Sequence, residues 1–133
     1  MPKQSSEYPT HLELLILKVL WQESPLPVGE VQQKLADGRA QRPLTYSTVI
    51  TVLNVMVGKK YLQREKQGKA FLYSPLVTEE RVGQGMLGDI VERVFDGSAS
   101  SVMMNLLEKE DMDPDELKEI RKMINQIVRR KSQ

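Results

Sequence analysis

The segment from Pro43 to Val57 constrains the fold of this chain more than any other stretch. Thr45 can cap a helix there, and apolar residues follow at the spacing of one helical face, namely Val49, Val52, Leu53 and Met56. We expect that face to be buried. The opposite face carries small uncharged groups, Ser47, Thr51, Asn54 and Gly58, flanked by Thr48, Ile50 and Val55. Such a face can lie flush against the floor of a DNA groove, although short helices with an uncharged face are also common.

The chain carries a net charge of only +1, but that charge is divided unevenly. Residues 1–76 contain ten Lys or Arg and six Asp or Glu, a net +4, whereas residues 77–133 contain nine and twelve, a net −3. The basic excess is concentrated in residues 39–69, where Glu65 is the single acid beside Arg39, Arg42, Lys59, Lys60, Arg64, Lys66 and Lys69. Positive charge on both sides of the central helix suits the neutralisation of DNA phosphates.

Length and composition are those of one globular domain, or of a small domain with an added oligomerisation element. Of the 133 residues 40% are hydrophobic, and no apolar run approaches the ~18 residues that span a bilayer. The first residues lack the apolar centre of a signal peptide, so we expect a cytoplasmic protein. The absence of Cys and the single His11 exclude disulfides and thiolate or histidine metal sites, and no cofactor is expected.

Two further helices are predicted before the central one. Thr10 and Glu13 form a capping box, and the first helix continues to about Glu23 with an apolar stripe of Leu12, Leu15, Ile16, Val19 and Leu20. A second, short helix is predicted from Val28 to Ala36, after a Pro-rich break. Its inward residues are Val28, Val31 and Leu35. Three helices in this order, with a short turn before the third, predict a helix-turn-helix unit.

A β-hairpin is predicted after Lys60, where apolar residues begin to alternate with polar ones. Its strands are Tyr61–Glu65 and Ala70–Tyr73, joined by a polar turn at residues 66–69. We expect Leu62, Phe71 and Tyr73 to close the core. A hairpin with a basic tip after three helices is the layout of a winged helix, whose wing reaches the DNA backbone or minor groove. The alternative is a sheet edge that merely carries surface lysines.

Helical patterns return at Thr78 and continue to the end of the chain. The first helix places apolar residues four apart, a break follows at Asp96–Ser98, and a short second helix carries Val102, Met103, Leu106 and Leu107. The last helix begins at Asp113, with Pro at its first position. These apolar stripes are narrow and have no cover in their own segment, so a partner chain is expected to cover them. The alternative is that they fold back on the winged helix.

Together these patterns predict a mainly α fold with a small β-hairpin. Residues 1–76 form a winged helix-turn-helix domain that binds DNA, and residues 77–133 form a three-helix dimerisation region. The predicted dimer interface consists of Val94, Val102, Leu106, Leu117, Ile120, Ile124 and Ile127.

The predicted DNA-contacting residues are Arg42, Tyr46, Ser47, Thr48, Thr51, Asn54, Arg64 and Lys69. The basic residues among them supply affinity for any sequence, which falls with salt. The helix residues supply base readout: threonine methyls can meet thymine methyls, and Asn54 can pair bidentately with adenine.

Five segments of the chain resemble the penicillinase repressors of the BlaI/MecI type. They are Leu17–Trp21 (LKVLW), Leu44–Leu53 (LTYSTVITVL), Gly68–Pro75 (GKAFLYSP), Phe95–Ser98 (FDGS) and Asn105–Glu108 (NLLE). The resemblance implies a homodimeric repressor that binds double-stranded DNA at an inverted-repeat operator with TACA/TGTA-like half-sites. It assigns DNA contacts to Ser47, Thr48, Thr51 and, from the wing, Lys69. The family often has Arg where this chain has Val55, and frequently Gly where it has Lys60.

The resemblance also implies a mode of induction. Antibiotic-resistance members of the family are cut after the Asn of an Asn-Phe pair in the dimerisation region, by way of a membrane sensor with a zinc protease domain. The matching pair in this chain is Asn105-Leu106.

Other classes of function fit the sequence less well. A winged helix can also bind another protein through its third helix, but the basic excess and the small outward side chains speak against this. A regulator that binds a small effector between its two segments is a third possibility, although no convergent polar residues indicate a pocket. An enzyme is not expected, since we find no catalytic triad, no phosphate-binding glycine loop and no metal-ligand spacing.

Overall fold

A computed structural model describes residues 8–38, 42–109 and 111–133, so Arg39, one of the predicted cations, lies outside the described residues. In chain order the elements are α1 (His11–Gln22), β1 (Leu26–Pro27), α2 (Val28–Asp37), α3 (Tyr46–Gly58), β2 (Leu62–Gln67), β3 (Ala70–Pro75), α4 (Glu79–Arg93), α5 (Ala99–Lys109) and α6 (Pro114–Lys131). The chain divides into two compact units, residues 1–87 and 88–133, and the boundary between them lies within α4. Within the described ranges, every helix is too short or too polar to cross a membrane.

The first helix begins as the sequence predicts, at a capping box. The Thr10 side chain accepts a hydrogen bond from the Glu13 backbone, and the Glu13 carboxylate accepts one from the Thr10 backbone at 2.8 Å. The buried face is turned by about one residue from the predicted stripe: Ile16, Leu17 and Leu20 are fully enclosed, whereas the predicted members Leu12, Leu15 and Val19 are only partly buried. Glu13 therefore lies on the buried face, where a carboxylate needs a partner.

The central helix α3 anchors the core of the first unit. Thr45 caps it, and Val49, Leu53 and Met56 are completely buried, while Val52 is half-buried. The core is completed by residues from α1, α2 and the three strands, including Ile16, Leu20, Val31, Leu35, Leu62 and Tyr73. Because the apolar stripe of α3 is held inward, Ser47, Thr51, Asn54 and Gly58 all face solvent. The predicted orientation of this helix is confirmed.

The hairpin differs from its prediction in length and in register. The strands pair up to Gln67 and Ala70, so the turn contains only Gly68 and Lys69, with Gly68 at the left-handed φ of 62°. That conformation has no steric cost for glycine, and it allows a tight turn where a four-residue turn was predicted. A third strand, β1, pairs Leu26 with Tyr73. The sequence prediction missed β1, because it is two residues long and contains Pro.

The prediction that Phe71 closes the core is wrong. Leu62 and Tyr73 are buried as predicted, but Phe71 is 36% exposed and lies near the tip of the wing. The Arg64 guanidinium carbon lies 4.5 Å from the centroid of its ring. A cation–π contact thus covers the ring in place of core side chains.

The C-terminus of α3 forms a Schellman motif. The Tyr61 amide donates to the Met56 carbonyl at 3.0 Å, and the Lys60 amide donates to the Val57 carbonyl at 3.1 Å. The motif requires a left-handed residue, and Lys60 occupies that position with φ of 69°. A residue with a Cβ is strained in this conformation, which is why glycine is usually found there.

A buried ion pair connects the start of α1 to the end of α3. Lys59 Nζ lies 2.8 Å from Glu13 Oε2, and the Glu13 side chain is only 4% exposed. The other Glu13 oxygen accepts the capping hydrogen bond, so both oxygens are satisfied. Burial raises the pKa of neighbouring Tyr61, and the Glu13 carboxylate raises it further while Lys59 opposes the shift. Lys59 is one of the cations of the basic segment 39–69, but its charge is paired with Glu13 inside the fold.

The second unit leaves most of its apolar side chains exposed. The predicted break is confirmed, with left-handed φ angles at Asp96 and Gly97, and Asp113 caps α6 by accepting from the Glu116 amide. Val94 lies just beyond the end of α4 and is 66% exposed. Leu106, Leu117, Ile124 and Ile127 are also exposed, and Ile120 is half-buried. Val102 departs from the predicted interface set, since it is buried within its own chain.

We predict that Glu13→Gln destabilises the first unit. Lys59 would lose its carboxylate, and because its side chain is 24% exposed and can reach water, the cost should be about 2–3 kcal/mol, below the usual cost of breaking a fully buried pair. Urea unfolding followed by the fluorescence of Trp21, the only tryptophan, measures this. The matched control is Glu23→Gln, which breaks the exposed pair with Lys34 and should destabilise the unit far less, because solvent screens both charges. Equal effects of the two variants would contradict the prediction.

We also predict that Lys60→Gly stabilises the same unit by about 0.5–1 kcal/mol, because it removes the strain of a left-handed residue that has a Cβ. Lys60→Ala is the control, since alanine removes the same charge but keeps the strain and should give no gain. The same unfolding assay applies. If the alanine variant stabilises as much as the glycine variant, charge rather than backbone strain is the cause.

Candidate nucleic-acid interface

The start of α3 is held in place by a side chain of α2. Gln32 Nε2 donates to the Leu44 carbonyl at 2.9 Å, just before the N-cap Thr45. This contact fixes the direction in which the linker enters α3, and therefore the face that α3 presents. The role of Gln32 is not visible in the sequence, because a glutamine in a helix carries no signal of a contact 12 residues away.

A hydroxyl cluster occupies the exposed N-terminus of α3. The Thr45 hydroxyl oxygen accepts from the Thr48 amide at 3.2 Å and the hydroxyl donates to Thr48 Oγ1 at 2.8 Å, while Ser47 Oγ lies 3.4 Å away. Tyr46 is exposed beside them. These groups are small and uncharged and lie at the end of the helix where the backbone dipole is positive, so they can meet either a base edge or a phosphate oxygen.

Thr51 lies one turn further along the same face. Its hydroxyl donates to the Ser47 carbonyl at 2.8 Å, inside the helix. The hydroxyl proton is therefore used, and what Thr51 offers to a partner is a methyl group and an accepting oxygen. A thymine methyl or a base amino group matches these two features.

Asn54, one turn beyond Thr51, is tied to the hairpin. Its Oδ1 accepts a hydrogen bond from Arg64 Nη1 at 2.8 Å and a second from the Tyr73 hydroxyl at 3.1 Å. Arg64 and Tyr73 are opposite each other in the register of β2 and β3, which places both on the same face of the hairpin. Phe71 is on that face as well, two residues from Tyr73, and stacks on Arg64.

This network occupies the acceptor atom that the predicted bidentate pairing of Asn54 with adenine would use. That pairing needs Oδ1 as the acceptor of the adenine amino group. In the structure both lone pairs of Oδ1 are used by Arg64 and Tyr73. The sequence shows that Asn54 faces outward, but it does not show that a strand residue reaches the same amide.

The remaining cations of this region are free of ion pairs. Within residues 42–69, Arg42, Lys60, Lys66 and Lys69 are exposed and make no ion pair, and Arg64 pairs only with uncharged groups. Lys66 and Lys69 lie at the tip of the wing, and Arg42 lies before α3. The positive charge thus borders the exposed face of α3 on two sides, which is the arrangement that the charge pattern predicts, apart from Lys59.

The first unit also has a cleft of about 860 Å³ beside α1 and α2, lined by residues that include Lys18, Glu23, Glu30, Lys34 and Asp37. Its lining contains both acidic and basic side chains, and Lys34 Nζ lies 3.0 Å from Glu23 Oε1. In the described part of the chain, no buried side-chain N or O lacks a hydrogen-bond partner, and no acidic or His cluster could hold a metal. The cleft has no set of polar groups directed at one ligand.

The predicted cleavage pair lies inside a helix. Asn105 is in α5, and its Nδ2 donates to the Ser101 carbonyl one turn earlier at 3.0 Å. Leu106 is 48% exposed. The bond between them follows α4 and precedes the whole of α6, so the four predicted interface residues of α6 are C-terminal to it, namely Leu117, Ile120, Ile124 and Ile127.

Known proteins resemble this chain over most of its length. Residues 9–126 match the profile of the penicillinase repressor family. The methicillin resistance regulatory protein MecI of Mammaliicoccus sciuri is 27% identical over 110 residues, covering 83% of this chain and 87% of MecI. The penicillinase repressor of Bacillus licheniformis is 26% identical over 121 residues, covering 91% of this chain and 92% of the repressor.

Solved structures of the BlaI repressor are also similar to parts of the chain. The DNA-binding domain of BlaI in solution is 26% identical and covers 58% of this chain and 90% of that domain, with a TM-score of 0.47. The monomeric form of Bacillus licheniformis BlaI, solved with the blaP half-operator, is 28% identical and covers 59% of this chain and 87% of that one, with a TM-score of 0.42. On the family profile, which matches well over half of its residues, this chain belongs to the penicillinase repressor family.

Proposed function

We propose that this chain, a DNA-binding transcriptional repressor, acts as a homodimer on an inverted-repeat operator. Each copy places α3 in a major groove and its wing against the adjacent backbone. The observation that carries the proposal is the exposed face of Ser47, Thr51 and Asn54, bordered by the unpaired cations Arg42, Lys66 and Lys69. Such a repressor works where its DNA is, in the cytoplasm. The family is a class of repressors and not of enzymes.

Affinity and sequence preference come from different residues. Lys69 and Lys66 at the wing tip, with Arg42 before α3, neutralise phosphates and bind any DNA. Ser47, Thr48 and Thr51 meet base edges, because they are small enough to let the helix lie deep in the groove. Each good base contact contributes about 1–3 kcal/mol of discrimination.

The homodimer is supported by the apolar residues that the second unit leaves exposed. Val94, Leu106, Leu117, Ile124 and Ile127 all face solvent in the single chain. Apolar surface of this extent is unusual on a monomer and typical of an interface. Dimerisation joins two half-sites, so that the second half-site is bound at high effective concentration.

Induction by proteolysis at Asn105-Leu106 is consistent with this arrangement. A membrane sensor with a zinc protease domain is the proposed partner, as the family resemblance implies. The scissile bond lies within α5, so the helix must open locally before a protease can bind it in extended form. Cleavage would release Leu106 and all of α6 while leaving α3 and the wing intact. The dimer, and with it the operator affinity, would be lost.

We predict that the protein binds a duplex with inverted TACA/TGTA half-sites more tightly than a scrambled duplex, with the affinity for both falling as salt rises. Fluorescence anisotropy at two salt concentrations measures both. Two variants separate the contributions of the two groups of Thr51. Thr51→Ser removes the methyl group, and Thr51→Val replaces the hydroxyl by a methyl group. We expect at least one of them to reduce the preference for the repeat by about fivefold or more.

The control for this assay is Lys69→Ala, which should weaken binding to both duplexes equally and lower the slope of log affinity against log salt by about one. Equal losses on both duplexes for the Thr51 variants would show that Thr51 does not read bases. Binding to neither duplex by the wild-type protein would favour a protein-interaction module instead.

We predict that a chain truncated after Asn105 is a folded monomer with weak operator binding. The first unit has its own buried core, so it should fold, whereas the truncation removes Leu106 and all of α6, including the exposed residues Leu117, Ile124 and Ile127. Sedimentation velocity gives the oligomeric state, and Trp21 fluorescence reports folding. A truncated chain that still sediments as a dimer would remove the physical basis of the cleavage proposal.

A further inference from the structure

The orientation of the Asn54 amide is determined by chemistry. The oxygen and nitrogen of an amide have similar shapes, so the partner decides which atom faces it. Arg64 can only donate hydrogen bonds, so the atom 2.8 Å from its Nη1 must be the amide oxygen. The Tyr73 hydroxyl, 3.1 Å from the same oxygen, donates as well. The amide oxygen therefore faces the hairpin, and the amino group is on the other edge.

The amino group of Asn54 is left for an external partner. No hydrogen bond of Nδ2 occurs within the described residues, and Asn54 is exposed on the same face of α3 as Thr51. An amide held in this way offers donors and no acceptor. In a major groove it fits a purine N7, a guanine O6 or a thymine O4, and it does not fit the adenine amino group.

The position of Arg64 is fixed by its neighbours in the hairpin. Its guanidinium stacks on Phe71 at 4.5 Å, and it is opposite Tyr73 in the strand register. Tyr73 is completely buried, so the second donor is fixed by the core. Arg64 still has other N–H groups, and these can donate to a phosphate while one of them holds Asn54.

We infer that Arg64 and Tyr73 are positioning residues for base readout, which turn Asn54 into a donor-only reader of one base pair in each half-site. This inference rests on the proposed function and names the part of it that Asn54 performs. The wing then contributes to specificity through α3, in addition to any phosphate contact of its own.

The test uses the full chain and the TACA/TGTA duplex, together with duplexes in which each base pair of the half-site is changed in turn. We expect wild-type discrimination at one base pair to fall by about fivefold or more in Asn54→Ala. Arg64→Lys keeps the charge but loses the planar stack and the fixed donor, so discrimination at that same pair should fall too. In the double variant the loss should be no greater than in Asn54→Ala alone.

A second arm tests the donor-only contact. If the base read is adenine, replacing it by purine, which lacks the amino group but keeps N7, should leave the Asn54 contribution intact. Tyr73→Phe removes one donor without changing charge, and discrimination at the same pair should fall there as well. Lys69→Ala serves as the control for a phosphate contact, since it should affect all duplexes equally.

Three results would overturn the inference. Arg64→Lys could weaken binding to all duplexes by one factor, which would make Arg64 a phosphate contact only. Asn54→Ala could leave discrimination unchanged at every pair, or the purine substitution could cost as much as Asn54→Ala, which would show bidentate adenine pairing. In each case a wild-type preference for the repeat over a scrambled duplex would leave the proposed repressor function standing. The absence of that preference would overturn both.

Discussion

The docking of α3 is the constraint on which the first unit depends. Val49, Leu53 and Met56 hold one face of the helix in the core, and the Glu13–Lys59 pair holds its C-terminal end against the first turn of α1. A buried ion pair adds little net stability compared with apolar packing, but it is strongly directional. The Glu13–Lys59 pair therefore limits the rotation of α3 about its axis. The hydroxyls of Ser47 and Thr51 and the amide of Asn54 are thereby kept on the outward face.

The contacts of this helix with its neighbours are as informative as its exposed residues. Gln32 fixes where α3 begins, the Schellman motif at Lys60 fixes where it ends, and Arg64 and Tyr73 hold the amide of Asn54. Gln32 belongs to α2, Arg64 to β2 and Tyr73 to β3, so three other elements hold α3. A helix held at both ends and along its exposed face loses little conformational entropy when it enters a DNA groove. The entropic cost of binding is therefore smaller.

The second unit shows the opposite distribution of apolar groups. The first unit encloses a continuous apolar core, whereas α5 and α6 leave Leu106, Leu117, Ile124 and Ile127 exposed. Val102 is the one member of the predicted interface that its own chain buries. In the proposed homodimer, a single cut in α5 would change the assembly without altering the residues proposed to contact DNA.

The sequence by itself determined the order of the helices, the caps of three of them and the inward face of α3. Thr10, Thr45 and Asp113 cap the helices that they were predicted to cap, and the stripe of α3 is buried as expected. These features depend on residues within about two helical turns of one another, and local spacing is visible in a sequence. The family resemblance, carried by five short segments, was sufficient to indicate the repressor function.

The tertiary structure alone decided the partners of the side chains. A predicted four-residue turn would have set Arg64 opposite Phe71, but the two-residue turn at Gly68 and Lys69 sets it opposite Tyr73. That shift of two residues creates the network around Asn54. Likewise, the charge pattern groups Lys59 with the cations expected near phosphates, but in the fold Lys59 pairs with Glu13, 46 residues earlier. Contacts between distant residues depend on register and packing, and neither is encoded in the periodicity of one segment.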